Sequence, residues 1–183
     1  MSSAVASKQA AELLVELAHR RDGLRAIVLR TSRFFPEADD DPAIAGAYAP
    51  DNVQVNELLY RRADIADVAQ ACLVAAERAP VLGFGRYIVS PTTPFSRGDL
   101  AELRSDAPAV VRRLFPEAEA VYAARDWRMF PSIDRVYVNA RARSELGWEP
   151  QVDFARVLER LAAGEDFRSP LARAVGSKGY GPR

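Results

Sequence analysis

Asp39, Asp40 and Asp41 form the densest run of potential ligands in the chain. Carboxylates on adjacent residues converge on a metal less readily than alternating ones. Pro42 follows at a position that a first helical turn accepts, so the simpler chemistry is a helix cap that complements the dipole. The one histidine, His19, lies in the polar run AHRRDG; it cannot build a metal site by itself and reads as exposed. The one cysteine, Cys72, excludes an internal disulfide and reads as a buried, inert thiol among apolar helix residues. Taken alone, Lys8 is a surface lysine on an amphipathic helix, and Arg97-Gly98-Asp99 falls in the first turn of another helix rather than in a presented loop.

These residues must be positioned by alternating helices and strands. Residues 1–21 place Val5, Leu13, Leu14, Leu17 and Ala18 on one side of a helix and Lys8, Gln9, Glu12, Glu16 and Arg20 on the other, with Gly23 as the stop. Leu24 to Ser32 is an apolar run of the kind buried inside a parallel sheet. Residues 53–60 fit helix or strand equally. Asp64 to Arg78 is helical with an apolar stripe of Ile65, Val68, Cys72, Leu73 and Ala76; Pro80 and Gly83 mark the return, and Arg86 to Ser90 is a second buried strand. Strand, helix and strand in that order outline a right-handed crossover. Ser96 with Asp99 makes a capping box, Asp106 caps a helix over 107–114, and a further helix runs over 117–125. Trp127, Met129 and Phe130 form an apolar connector. A short strand (Val136, Tyr137, Val138), a cap at Asn139, a helix stopped by Gly147, a turn pinned by Trp148 and Pro150, and a helix capped by Asp153 follow. That last helix carries Phe154, Val157, Leu158 and Leu161 on one face. A short helical pattern over 170–175 precedes a Gly-rich, basic tail.

Lysine plus arginine balances aspartate plus glutamate at 25 each, so no charge footprint points to nucleic acid or an anionic membrane. With 49% hydrophobic residues the 183-residue chain is within reach of one compact domain. No window approaches the roughly 18 uninterrupted apolar residues of a membrane span, and no basic-then-apolar signal opens the chain, which gives the expectation of a cytoplasmic protein.

The stretch from Asn139, NARARSELGWEPQVDFARVL, resembles the closing segment of the NAD-dependent epimerases and dehydratases, the extended short-chain dehydrogenase/reductase family that acts mainly on nucleotide sugars. Leu29 to Glu37, LRTSRFFPE, resembles that family's L-R-x-x-N-x-Y-G-P segment. Its backbone faces the nicotinamide and its Asn touches the substrate, which implies Arg33, Phe34 and Phe35 on the cofactor side and Arg33 also on the substrate side. Arg33 stands at the Asn and Phe35 at the Tyr. Arg61 to Ala71, RRADIADVAQA, resembles the D-V-A-x-A helix that follows the substrate-domain strand. Arg61 or Arg62 could meet a phosphate bidentately, or simply be solvated at a helix entrance. Asn56 and Arg141 are weaker substrate-side candidates.

Ala4 to Leu14, AVASKQAAELL, resembles the family's catalytic helix, in which a Tyr lies one turn before a Lys. The ammonium sits beside the phenol and the cofactor ribose and favours phenolate. Lys8 matches the Lys, but Ala4 stands at the Tyr position, and a methyl group moves no proton. The Gly-rich dinucleotide fingerprint is also missing. Gly83 and Gly85 lie in GFGR before a strand, and Gly176, Gly179 and Gly181 lie in the tail.

The resemblance thus covers nearly all of this chain and only the later half of the family's. It implies an α/β fold: the C-terminal part of a Rossmann-like, doubly wound parallel sheet (1–32 and 64–90) plus a small, mostly helical substrate subdomain (33–63 and 91–165), then a tail (166–183). It implies NAD or NADP in full-length relatives and none bound by this chain alone, a nucleotide-sugar-like substrate, and no turnover by these residues by themselves. An in-frame Gly-rich fingerprint upstream of Met1 is expected if the chain is a truncated enzyme. The alternative is a non-catalytic binding or interaction module that pairs with itself or with a chain supplying the missing half, because a strand without sheet neighbours presents an unpaired edge.

Overall fold

The computed structural model describes residues 3–35 and 41–176, with backbone alone for residues 3–5. The side chain at Ala4 and the residues Asp39, Asp40, Gly179 and Gly181 are therefore outside the described set. Helix α1 (Ser3–Asp22) stops at Gly23, whose φ of +69° is cheap only without a Cβ. Strand β1 (Ala26–Thr31) follows and pairs parallel with β2 (Phe84–Val89), Ala26 opposite Phe84 and Thr31 opposite Val89. Between them lie α2 (Pro42–Ala47), α3 (Pro50–Leu58) and α4 (Ile65–Leu82). Asp41 accepts from the N–H of Ala43 (2.9 Å), so at this aspartate the cap is observed.

Ala26 N–H donates to Gly83 O and Ser32 N–H to Val89 O, which fixes the even-numbered residues of β1 as those bonded to β2. Ile27, Leu29 and Thr31 direct their backbone groups to the other side, where no strand among the described residues pairs. Among the described residues that side finds backbone partners only at Arg33, which donates to Arg61 O (3.0 Å) and accepts from Ala63 N–H (2.7 Å).

The remaining elements are a one-turn 3-10 helix (Arg97–Asp99), α5 (Leu100–Ser105), α6 (Ala107–Leu114), α7 (Ala118–Ala123), a π-helical turn (Ala142–Leu146), α8 (Phe154–Ala162) and α9 (Pro170–Val175). Helix α3 is buried around its circumference from Asn52 to Leu58, because α5 to α8 close over it with Leu103, Val110, Val121, Phe154 and Val157. A second cluster joins the sheet to α4 and the π turn through Val68, Ala71, Tyr87, Val89, Leu146 and Trp148. The fold is thus a mostly helical α/β arrangement built on a two-stranded parallel sheet. No helix among the described residues is long and apolar enough to cross a membrane.

Local caps form as their residues dictate. Ser96 and Asp99 make the capping box, and Asp64, Asp106 and Asp153 each accept an N–H from the first turn of the helix they open. Gly147 is left-handed at φ +74°. Residues 53–60, open between helix and strand in the sequence, are helix to Leu58 followed by a turn.

Other expectations are corrected. Val136, Tyr137 and Val138 form no strand; the segment has no sheet partner among the described residues, and Val138 is exposed. Asn139 turns its amide N–H toward Ser90 O (2.9 Å) and Thr92 Oγ1 (3.1 Å), tying this segment to the end of β2 rather than capping a helix. Helix α4 continues past Pro80, and its buried stripe is Asp67, Val68, Ala71 and Ala75. Cys72 and Leu73 lie on the outer side, so the thiol is exposed. His19 is half-buried instead of exposed, with Nδ1 2.7 Å from Leu24 O and the ring stacked on Phe84.

Helix α1 is turned over relative to its amphipathic pattern. Glu12 reaches Arg30 of β1 with two hydrogen bonds (3.0 and 2.6 Å), and Glu16 pairs with Arg86 of β2. The polar side therefore faces the sheet, while Leu13, Leu14 and Leu17 are 63%, 65% and 54% exposed. Hydrogen bonds from Arg30 and Arg86 hold the carboxyls of Glu12 and Glu16 below the usual range.

Candidate functional site

The buried end of α3 carries a charged residue at its centre. Glu57 is 0% exposed, because the wrap of helices that buries Val55 and Leu58 leaves no face of α3 to solvent. An ionised carboxylate there needs partners. Three guanidiniums supply them. Arg62 donates from Nε to Oε2 (2.7 Å), Arg61 from Nε to Oε1 (2.9 Å), and Arg33 from Nη1 to Oε1 (3.0 Å). The chain arranges this cheaply. Arg61 is four residues after Glu57, one helical turn on, and the backbone bridge between Arg33 and residues 61–63 brings the end of β1 alongside.

Three guanidiniums thus converge on one buried carboxylate. Arg62 is 5% exposed, and burial lowers its guanidinium pKa against the opposing pull of Glu57. Asp134 lies close enough for Arg61 to help its main partner, Arg135, hold the carboxyl low. Burial also pushes the hydroxyl of neighbouring Tyr60 up to about 12, so it stays protonated.

Ser32, Arg33, Phe34, Phe35 and Arg62 line a hollow of about 140 Å³ beside this group. Phe34 and Phe35 stack at a tilt with centroids 4.6 Å apart, and Arg62 Nη1 fixes the turn by donating to Phe35 O (2.6 Å). Guanidinium forks beside aromatic rings recognise anionic oxygens and planar groups. Among the described residues the lining offers no carboxylate, imidazole or thiol to exchange a proton. No cluster of three metal-ligating side chains occurs among the described residues.

Of the residues singled out from the sequence, Arg33, Phe34, Phe35, Arg61 and Arg62 come together here. Asn56 does not join them: its amide donates to Arg128 O (2.8 Å) and accepts from the Tyr122 hydroxyl (2.9 Å), which ties it inside the helical body. Arg141 pairs with Glu145 (2.7 Å) over the Tyr87 ring. Lys8 is exposed on α1 and makes no hydrogen bond or ion pair among the described residues. Glu57, the hub, was missed; its spacing from Arg61 was the signal that could have found it.

The dinucleotide implied by the resemblance needs a strand, a Gly-rich turn and a helix N-terminus in succession. Among the described residues β1 runs into Ser32-Arg33-Phe34-Phe35 and β2 into Ser90-Pro91-Thr92, and neither exit has a glycine. A Cβ at Gly85 would stand 2.5 Å from the Tyr87 ring, so that glycine makes room for a neighbouring side chain. The described residues do not fit a cofactor pyrophosphate.

A distant motif pair locks the surroundings. The Trp148 indole N–H donates to Asp67 O (3.1 Å), and the Asp67 carboxylate accepts from the N–H groups of Gln151 (2.8 Å) and Val152 (2.9 Å). Asp64 meanwhile accepts from the Ser169 hydroxyl (2.6 Å), joining the caps of α4 and α9.

No family model matches the sequence, and no curated protein matches it. Among solved structures, the chain is similar to the UDP-N-acetylglucosamine 4-epimerase from Bacillus cereus, with 14% sequence identity and a TM-score of 0.48. That alignment covers 86% of this chain and 49% of the other, so the chain spans about half that enzyme's length.

Proposed function

We propose that this chain is the substrate-binding portion of an NAD(P)-dependent epimerase/dehydratase-type oxidoreductase acting on a nucleotide-sugar-like substrate. The observation that carries the reading is the meeting of Arg33, Arg61 and Arg62 on buried Glu57, beside a hollow bounded by Phe34 and Phe35. Arg33, Phe34 and Phe35 come from the segment that resembles the family's nicotinamide-facing stretch, and Arg61 and Arg62 from the one that resembles its D-V-A-x-A helix. In this reading the arginines hold the substrate's diphosphate and Glu57 fixes their spacing. Lys8 lacks its phenol partner, and the Gly-rich cradle is absent from the sequence, so the chain alone binds no NAD(P) and performs no hydride transfer. The same reading places the protein in the cytoplasm.

Titration calorimetry with UDP tests it. Saturable binding is expected, weakened about tenfold by Arg61→Ala, the loss of one charge-assisted pair. Absence of UDP binding, or UDP binding indifferent to Arg61→Ala and Arg33→Ala, refutes the site. NAD(H)-dependent turnover of UDP-sugars by the 183-residue chain refutes the predicted inactivity.

A second reading, a non-catalytic interaction module, is favoured by a separate observation. Among the described residues the outer edge of β1 has no strand partner from Ile27 to Thr31, and α1 turns three leucines to solvent. Both features suit a second copy or a chain that supplies the missing half. Light scattering decides: a monomer that binds nothing counts against it.

A further inference from the structure

A cleft of about 340 Å³ opens on the helical body between α6 and α7, and it shares no lining residue with the arginine hollow. Its walls are apolar and aromatic: Val111, Ala118, Tyr122, Ala123, Trp127 and Met129. The chain shapes it deliberately at one residue. Asp126 takes φ +54°, and this left-handed step folds Trp127 back so that its N–H donates to Tyr122 O (3.0 Å). The two rings then meet edge to face, centroids 5.8 Å apart at 85°. The Tyr122 hydroxyl is spent on Asn56 inside the body, so this residue offers the cleft a ring and no polar group.

The polar groups stand at the rim. Arg128 is engaged by Ala47 O and by the Tyr48 ring. Among the described residues Arg112 has only Glu119, and at 3.8 Å that contact is an ion pair beyond hydrogen-bonding reach. Both side chains are exposed, at 60% and 72%, so the pair is weak and its guanidinium fork is open to a better acceptor. An apolar slot of this volume with one orienting polar group is the ordinary form of a small-ligand site.

The geometry points to a second binding site, for a small flat aromatic carboxylate. The ring system lies against Trp127 and Tyr122, and the carboxylate takes the fork of Arg112 bidentately, displacing Glu119. A neutral aromatic gains the burial without the charge, and an aliphatic acid gains the charge without the rings. The site stands independently of the proposed function.

The two tryptophans make the test direct. Trp127 lines the cleft, whereas Trp148 is 1% exposed and bonded to Asp67 elsewhere. Naphthalene-2-carboxylate added to the ¹⁵N-labelled chain should shift the Trp127 indole resonance saturably and leave that of Trp148 in place. Arg112→Gln should weaken the carboxylate about tenfold and leave the neutral 2-naphthamide unchanged. Ala123→Leu, which fills the cleft from an exposed helix position, should abolish both. An unmoved Trp148 resonance reports that each variant is folded. No saturable shift at Trp127, or equal binding of the carboxylate before and after Arg112→Gln, overturns the proposal.

Discussion

The indole N–H of Trp148 rests on the backbone carbonyl of Asp67, 81 residues earlier, while the Asp67 carboxylate receives the two N–H groups that follow the Trp148 turn. One aspartate thereby holds the closing segment against the first turn of α4. Its side chain is buried, so its folded-state carboxyl is raised above the usual value, chiefly by burial and against the two backbone hydrogen bonds. A raised folded-state value means the protonated form is favoured by folding. The contribution is full below the unfolded value and is lost as pH rises through the folded one. Urea unfolding of the chain from pH 4 to 7 should therefore contain a decline that Asp67→Asn removes. Asp67→Ala, which strands both N–H donors, should cost about 1–3 kcal/mol at neutral pH. A wild-type and Asp67→Asn pair with parallel pH profiles would sink this account.

Glu57 should be the most costly single side chain to remove. Its partner Arg62 is almost equally buried, so Glu57→Gln leaves a cation without its anion, a loss of about 3–5 kcal/mol. Arg33 and Arg61 are each about 30% exposed on their side chains and can turn to water, so Arg33→Ala and Arg61→Ala should cost much less. Replacing both ends of the inner pair, Glu57→Leu with Arg62→Met, should recover part of the loss. Denaturation midpoints for the four variants check the order.

Asn56 separates a structural role from a binding role. Tyr122→Phe removes the hydroxyl that donates to Asn56 Oδ1 and leaves that buried acceptor unmet, which should cost about 1–3 kcal/mol. UDP affinity should be unchanged, because the Asn56 amide faces Arg128 and Tyr122 rather than the arginine hollow. A variant of unaltered stability but weakened UDP binding would return Asn56 to the substrate side.

Much of this architecture is local and therefore readable from the chain. Ser96, Asp106, Asp153 and Gly147 act within a few residues of themselves, and each cap or stop falls where its type and spacing place it. What depends on a distant surface was not readable. Periodicity finds the two sides of α1 but cannot tell which faces inward; that is decided by Arg30 and Arg86 on the strands, which draw Glu12 and Glu16 to the sheet. The same blindness put Cys72 on the buried stripe of α4 and gave Val136 to Val138 a strand for which no partner is present among the described residues. In the candidate site the i, i+4 link of Glu57 to Arg61 was open to reading, whereas Arg33 joins only through the backbone bridge that the fold creates.

The outward leucines of α1 allow the sharpest separation between a core and a covered surface. Were Leu13, Leu14 and Leu17 packed inside, each truncation to alanine would cost about 2–5 kcal/mol. They are more than half exposed, so in a monomer Leu13→Lys or Leu17→Lys should shift stability by no more than about 0.5 kcal/mol. The sheet side of the helix should behave oppositely: Glu16→Ala breaks the pair that ties α1 to Arg86 and should loosen the helix, seen as faster amide exchange along residues 12–19. If the chain assembles through α1, the lysine variants should also convert the assembly to monomer in light scattering, because a charge then meets an apolar partner without compensation. A large loss of stability in a protein that is monomeric before mutation would mean that α1 packs with its leucines inward, and the turned-over helix would have to be abandoned.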